Sequence, residues 1–170
     1  MVAKTIPSLH KSNKGRYEMK TLTTFLVVGM FATTVAMADD VDDVKAAVQS
    51  YFAALNAGDP SAVMQYRIPE RSSFGGPGGL LSRPISSLEV QKATLEAEVS
   101  AGVKRNYQIT HMEVRVYGNT AVVTGYLTGT RTQPNGTVSQ RRARRTGVFV
   151  KLGGQWKEVH HHQSPLRGLQ

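Results

Sequence analysis

The stretch from Thr146 to Ser164 constrains the fold of this chain more than any other. It reads TGVFVKLGGQWKEVHHHQS, with two runs of β-forming residues on either side of Gly153-Gly154. Two consecutive glycines reach the positive φ angles of a tight turn without a steric clash, so the stretch predicts a β-hairpin. Side chains alternate between the two faces of a regular strand. The alternation predicts that one face of the last strand carries Trp156, Glu158, His160 and His162 and the other Lys157, Val159 and His161.

Two more strands are predicted before this hairpin, whose first strand begins at residue 137. Apolar and polar residues alternate over residues 107–117, 120–131 and 137–152, although the last of these already includes the first hairpin strand. Gly118-Asn119 and Pro134-Asn135-Gly136 lie between the strands, and Asn-Gly is a strong hairpin signal. The pattern therefore predicts a four-stranded antiparallel meander from residue 107 to the end of the hairpin.

Helices are predicted before the meander. Residues 39–57 carry one apolar stripe at helical period, with Tyr51 and Phe52 on it. Asp59-Pro60 predicts the start of a second helix that ends at Pro69. A third helix is predicted from Ser86 as N-cap to about residue 101. Helices followed by strands indicate an α+β fold.

Two segments outside these elements leave alternatives open. The glycine-rich run from Phe74 to Gly79 predicts a loop, which fits a lid over a pocket or a plain connector. Residues 19–38 combine Lys20, an uncharged run from 22 to 35 and an Ala-Met-Ala site, which is typical of a signal peptide; a retained membrane anchor is the alternative. Residues 1–18 are interpreted as an upstream extension. The expectation is a secreted, periplasmic domain of residues 39–170 that has no membrane segment after cleavage.

The basic net charge of the chain does not predict nucleic-acid binding. The chain has 21 Lys and Arg, 12 Asp and Glu, and a net charge of +9. Residues 1–38 hold five of these bases and one of these acids, so residues 39–170 keep a net charge of +5. The aromatic residues are also not interleaved with the basic cluster of residues 141–145, as stacking on bases would require.

The order helix, Gly-Asp, helix, loop, helix and meander with a Gly-x-Trp turn resembles the nuclear transport factor 2-like superfamily. The run from Ala46 to Asp59 is similar to the first helix of bacterial ketosteroid isomerases, with Tyr51 at the position of the oxyanion-hole tyrosine. The run from Gly154 to Ser164 is similar to the end of the association domain of calcium/calmodulin-dependent kinase II. The whole chain looks most like small secreted bacterial members without an assigned activity. The resemblance implies a cone, in which three N-terminal helices pack on a curved four-stranded sheet around a pocket, and a homodimer formed through the outer sheet face.

The chain departs from the isomerase pattern where that chemistry needs an acid. No carboxylate occurs between Glu70 and Glu89, where the general base would fall, and Thr146 stands near the position of the second oxyanion donor. Proton transfer between carbons requires a carboxylate facing the substrate. Isomerase activity is therefore not expected.

The candidate site residues follow from the predicted hollow. The first hypothesis is a small-molecule-binding or assembly domain that takes no cofactor. The second is an enzyme of the polyketide cyclase or ketosteroid isomerase type acting on a small apolar or carboxylated compound by His and Tyr acid–base chemistry. Its catalytic residues would be His160, His162 and Tyr51. The predicted ligand-binding residues are Tyr51, Tyr66, Phe74, Arg145, Phe149 and Trp156.

Two further patterns admit a structural and a functional interpretation. His160 and His162 could hold zinc with His111 or Glu158 as a third ligand, but hydrogen-bonded pocket or interface histidines are the favoured interpretation, and no metal is predicted. The arginines of residues 141–145 form either a solvated strand face or an anion clamp. A regular strand places Arg141 and Arg145 on one face and Arg142 and Arg144 on the other.

Overall fold

The computed structural model describes residues 39–75, 81–82 and 87–166. Three helices come from this part of the chain: α1 over residues 39–57, α2 at Pro60–Met64 and α3 at Leu88–Ser100. The predicted extension and signal segment, most of the glycine loop and Ser86 lie outside the described residues. None of the described helices is long and apolar enough to span a bilayer.

Within the described residues the strands form one sheet of six, instead of the four predicted. The strands are β1 (Arg67–Phe74), β2 (Leu81–Ser82), β3 (Lys104–Tyr117), β4 (Thr120–Thr132), β5 (Val138–Leu152) and β6 (Gln155–Pro165). Their order across the sheet is β2-β1-β6-β5-β4-β3, and β1 runs parallel to β6 while all other neighbours are antiparallel. The α+β class is confirmed, but the sheet is mixed.

Two strands were not predicted, the two-residue β2 and the longer β1. The case of β1 has a physical reason. Its segment carries Pro69, Glu70 and Arg71 and shows no apolar alternation, so it was interpreted as a helix end followed by a loop. Proline cannot donate to a ladder, and the register of β1 against β6 is interrupted between Arg67 and Ser72, which brackets Pro69. Phe74, predicted in a loop, is the last residue of β1.

The ends of the helices follow local hydrogen bonding. Asp59 accepts a hydrogen bond from the Ala62 N–H at 3.0 Å and caps α2, as predicted. α3 begins one residue later than predicted, because Ser87 is its N-cap and accepts from the Val90 N–H. Asn56, near the end of α1, bonds to both backbone groups of Tyr107 at 2.8 Å and so ties α1 to the edge strand β3.

The core lies between the helices and the inner face of the sheet. The predicted stripe of α1 supplies Val44, Val48, Tyr51 and Phe52 to it, all buried. The sheet side of the core consists of Ala121, Val123, Leu127, Ala143, Phe149 and Trp156. The same inner face continues past this apolar core into charged side chains, where the candidate site lies.

Candidate functional site

A bulge in β6 decides which histidine faces the interior. Val148 pairs with His160, but the next residue of β5, Phe149, pairs with Glu158, so Val159 is an extra residue in β6. One extra residue reverses the alternation beyond it. Glu158 and His161 therefore lie on the inner side and His160 and His162 on the outer side. The predicted faces are wrong beyond Glu158.

The outer histidines contact β1. The Nδ1 atom of His160 lies 2.8 Å from the Ser72 hydroxyl oxygen. The Phe74 ring meets the rings of His160 and His162 edge-on, at centroid distances of 5.8 and 6.1 Å. Phe74 itself is 39% exposed. Phe74, His160 and His162, all predicted site residues, thus form a cluster on the outer face of the sheet and do not face the helices.

A cavity of about 210 Å³ that opens to solvent is bordered by α1, α3 and the inner face of the sheet. Its wall is unusually basic, and we call it the arginine cavity. Its apolar lining consists of Phe52, Leu55, Leu95 and Leu127. Its polar lining consists of Tyr51, Arg67, Arg71, Arg105, Tyr107, Arg141, Arg145, His161 and Gln163.

Glu158 is the charged centre beside this cavity. It is 2% exposed, and Arg145 and Arg71 contact different oxygens of its carboxylate, Arg71 at 2.7 Å. The Nδ1 atom of His161 lies 3.2 Å from the same carboxylate and 2.8 Å from Nη1 of Arg71. Burial on its own would raise the pKa of Glu158. The neighbouring Arg145, His161 and Arg71 outweigh burial and hold that pKa well below its usual range.

His161 is neutral in this environment. Burial lowers the pKa of its imidazole from 6.5 to about 4, assisted by the positive charges of Arg145 and Arg71 and opposed by the hydrogen bond to Glu158. An imidazole with this pKa is unprotonated at neutral pH and is a weak base, and it keeps one N–H that can donate a hydrogen bond. The cluster is therefore a fixed network of charge and not a proton donor at pH 7.

Tyr51 contributes a hydroxyl group to the cavity wall. Nη2 of Arg67 donates a hydrogen bond to the Tyr51 oxygen at 2.9 Å, and its guanidinium carbon lies 5.6 Å from the centre of the tyrosine ring. The phenolic proton stays available to a second acceptor, because the Arg67 contact uses only the oxygen lone pair. Tyr51 and Arg67 together can bind an oxygen atom from two sides.

The remaining predicted ligand-binding residues occupy three different places. Arg145 lies in the cavity wall beside Glu158. Phe149 borders a separate void of about 10 Å³, about the size of one water molecule, that shares Tyr51 and Arg145 as walls. Tyr66 and Trp156 line a surface groove away from the cavity.

Several residues of the cavity were missed by the sequence analysis. Arg67 and Arg71 lie on the unpredicted strand β1, and Arg105 precedes the predicted start of β3. Arg105 lies on the inner face with Tyr107 only because the register of β3 shifts between Thr110 and Glu113. Uninterrupted alternation would have placed it outward. The face assignment of Arg141 and Arg145 agrees with the structure, since Arg145 is buried on the inner face and Arg142 is exposed on the other. No group of three metal-ligating side chains comes together within the described residues.

Comparisons with known proteins agree on the fold. A protein from Xanthomonas campestris, provisionally described as a calcium/calmodulin-dependent protein kinase II association domain, is 28% identical over 74% of this chain and 87% of that chain, with a TM-score of 0.57. A provisionally assigned dehydratase of the nuclear transport factor 2-like family from Streptomyces avermitilis is 20% identical over 77% and 99%, with a TM-score of 0.64. A nuclear transport factor 2-like protein with a cystatin-like fold from Novosphingobium aromaticivorans is 17% identical over 82% and 90%, with a TM-score of 0.62.

The last two likenesses show the fold alone, because their identities are low. No curated protein matches the chain. The sequence profile of the SnoaL-like domain matches residues 44–168, which includes every strand that lines the cavity. The chain therefore belongs to the SnoaL-like domain family, within the nuclear transport factor 2-like superfamily.

Proposed function

We propose that this SnoaL-like domain binds a small organic anion, a carboxylate, in the arginine cavity. The observation that carries the proposal is the excess of positive charge on the wall, where only three of the five arginines contact a carboxylate of the described residues, either Glu158 or Glu98. Guanidinium groups bind carboxylates with paired hydrogen bonds, and partial burial weakens the competition from water. An anionic ligand would balance the positive charge that residues 39–75, 81–82 and 87–166 leave uncompensated.

The size and lining of the cavity narrow the ligand further. A volume of about 210 Å³ lies below the range of about 300–1,000 Å³ that drug-sized ligands occupy. Leu55, Leu95 and Leu127 offer apolar surface next to the arginines. These features support a short aliphatic or single-ring carboxylate.

Calorimetric titration with hexanoate and benzoate tests the proposal. We expect binding by the wild-type protein and a loss of about tenfold or more in affinity in the double variant Arg67→Gln/Arg141→Gln. The matched control is Arg142→Gln/Arg144→Gln, which removes the same charge from the outer face of β5 and should bind like the wild type. An absence of binding at millimolar ligand, or an equal loss in the control, would refute the proposal.

Catalysis on the bound compound is the second candidate function. It is supported by the position of Tyr51 and His161 at the cavity, where His161 would take the role first assigned to His160 and His162. His161 would act as a base, because its pKa of about 4 leaves it unprotonated at neutral pH. A screen of carboxylated substrates should then show turnover that His161→Gln abolishes and His162→Gln preserves.

Assembly and secretion complete the proposal. Solved relatives include proteins described as association domains or hubs of calcium/calmodulin-dependent kinase II, which is compatible with self-association of this chain. We propose a homodimer formed through the outer face of the sheet.

We also propose that residues 19–38 act as a signal peptide for export to the periplasm, so mass spectrometry of the exported protein should find Asp39 at its N-terminus. A cytoplasmic protein that keeps residues 19–38 would refute export.

A further inference from the structure

The five arginines of the cavity differ in how their charge is compensated. Arg71 and Arg145 share the carboxylate of Glu158. Arg105 contacts Glu98, which also pairs with Arg131 at 2.8 Å. Each of these cavity arginines therefore already has an anionic partner in the folded protein.

Arg67 and Arg141 have neutral partners instead. Arg67 donates to the Tyr51 hydroxyl oxygen at 2.9 Å, and Nη2 of Arg141 donates to the side-chain amide oxygen of Gln163 at 2.7 Å. Within residues 39–75, 81–82 and 87–166, neither arginine forms an ion pair with a carboxylate. The cavity thus contains two cations, Arg67 and Arg141, whose charge is not compensated by any described carboxylate.

The two uncompensated cations reach the cavity from separate positions. Nη2 of Arg67 is hydrogen-bonded to Tyr51 on α1, whereas Nη2 of Arg141 is hydrogen-bonded to Gln163 on β6. The two guanidinium groups therefore have separate anchors in the wall of the same cavity. A monocarboxylate carries one negative charge and would leave one of the two cations uncompensated, whereas a dianion can compensate both.

We propose that the ligand of the arginine cavity is a linear dicarboxylate. One carboxylate pairs with Arg67 and accepts the Tyr51 proton, and the other replaces the amide of Gln163 as the partner of Arg141. The hydrocarbon spacer packs on the leucines of the wall. This assignment rests on the proposed function, because it names the class of anion that the same cavity selects.

Calorimetric titrations of the full-length protein at low ionic strength test the assignment. Each dicarboxylate from succinate to azelate is compared with the monocarboxylate of the same carbon number. We expect one chain length to bind about tenfold more tightly than its monocarboxylate, since a second charge-assisted pair forms only in the dianion. In Arg141→Gln and in Arg67→Gln the dicarboxylate should bind no more tightly than the monocarboxylate of the same carbon number.

Arg142→Gln is the control, because Arg142 lies next to Arg141 but on the other face of β5, and it should keep the preference. Should Arg67→Gln fail to fold, Arg141→Gln decides the matter, because Arg141 is exposed at the cavity edge. Monocarboxylates that bind as tightly as every dicarboxylate overturn the inference and leave the proposed function standing. If neither class binds, both fall. A preference that survives in Arg141→Gln also overturns the inference.

Discussion

Glu158 lies on the inner face of β6, where its carboxylate is the anionic partner of two buried arginines. A carboxylate so deeply buried is stable only because guanidinium groups replace its water shell. The dependence is mutual, because Arg71 and Arg145 are 11% and 6% exposed at the side chain and equally need an anion. Glu158, Arg71 and Arg145 therefore depend on one another and form a single ion-paired group.

Replacing Glu158 with Gln should therefore destabilise the fold strongly. The change keeps the size of the side chain but leaves two guanidinium groups without an anion, and breaking a buried pair costs about 3–5 kcal/mol. Urea unfolding followed by circular dichroism measures the loss. Glu96→Gln is the control, because Glu96 and its partner Lys92 are 52% and 40% exposed at the side chain, and the change should cost about 1 kcal/mol or less. A loss below about 1 kcal/mol in Glu158→Gln would contradict the mutual dependence.

His161 predicts how stability changes with pH. Its folded pKa of about 4 lies below the unfolded value of 6.5, so the unfolded chain binds a proton first as the pH falls. Its contribution to stability is complete above pH 6.5 and is lost between pH 6.5 and 4. Glu158, whose pKa is also lowered, adds its own loss only below its usual range near pH 4. The window between pH 7 and 5 therefore reports on His161.

In this window the free energy of unfolding should fall by about 2 kcal/mol in the wild type, and His161→Gln should lack that part of the fall. Urea unfolding at intervals of half a pH unit measures both slopes. His162→Gln changes an exposed imidazole on the outer face and should keep the wild-type slope. Equal slopes in the wild type and His161→Gln would show that His161 is not buried as a neutral group.

How far the sequence predicts the site depends on the residue. The inward direction of Tyr51 is predictable because it lies on a helix whose apolar stripe is regular over about four turns, and that of Arg145 because its strand alternates. His161 was misassigned because the run Val-His-His-His offers no apolar period that could reveal a bulge. Only the pairing of β6 with β5 shows that Val159 is an extra residue.

The bulge and β1 are the elements that make the cavity charged. β1 brings Arg67 and Arg71 to the wall, and the bulge turns His161 towards them. Predicted strand ends lie within three residues of those of β3, β4 and β5, because turns with glycine or Asn-Gly delimit these strands. β1 has no such signals, since it is held by pairing with a strand 87 residues further along the chain, as the Arg71–Glu158 bond illustrates. Local sequence cannot report a contact of that range.

The pairing of β3 with β4 depends on Gly129. This glycine faces Tyr107 in the register, has a φ of +132°, and would place an added Cβ against the backbone carbonyl oxygen of Asn106. Gly129→Ala should therefore cost about 3 kcal/mol, from backbone strain and a contact with rigid backbone. Thermal unfolding checks the value.

Gly136→Ala is the matched control for Gly129→Ala. Gly136 also has a positive φ, of +81°, but nothing lies within 4 Å of an added Cβ. The alanine there should cost only about 1 kcal/mol of strain. Similar costs at both glycines would mean that the close approach of β3 and β4 at Asn106 has little influence on the sheet.

At the scale of the whole molecule, the two faces of the sheet serve different roles. The inner face carries the core and the arginine cavity. The outer face carries half-buried Val122 and Val148, whose Cα atoms pair between β4 and β5. Tyr126, 41% exposed, packs edge-on against His111 at 5.7 Å on this face. Mixed apolar and aromatic surface of this kind is typical of an interface between proteins.

Tyr126→Glu should weaken the proposed dimer. The change removes the aromatic ring and adds a charge, opposite Arg144 in the register, that the interface would have to desolvate on both copies. We expect the dimer dissociation constant to rise by about tenfold or more. Sedimentation velocity over a range of protein concentrations measures the constant. Val90→Glu is the control, because Val90 is 54% exposed on α3 and takes the same charge away from the sheet. A wild-type protein that sediments as a monomer at every concentration would remove the dimer, and equal weakening by Val90→Glu would place the interface away from the outer face.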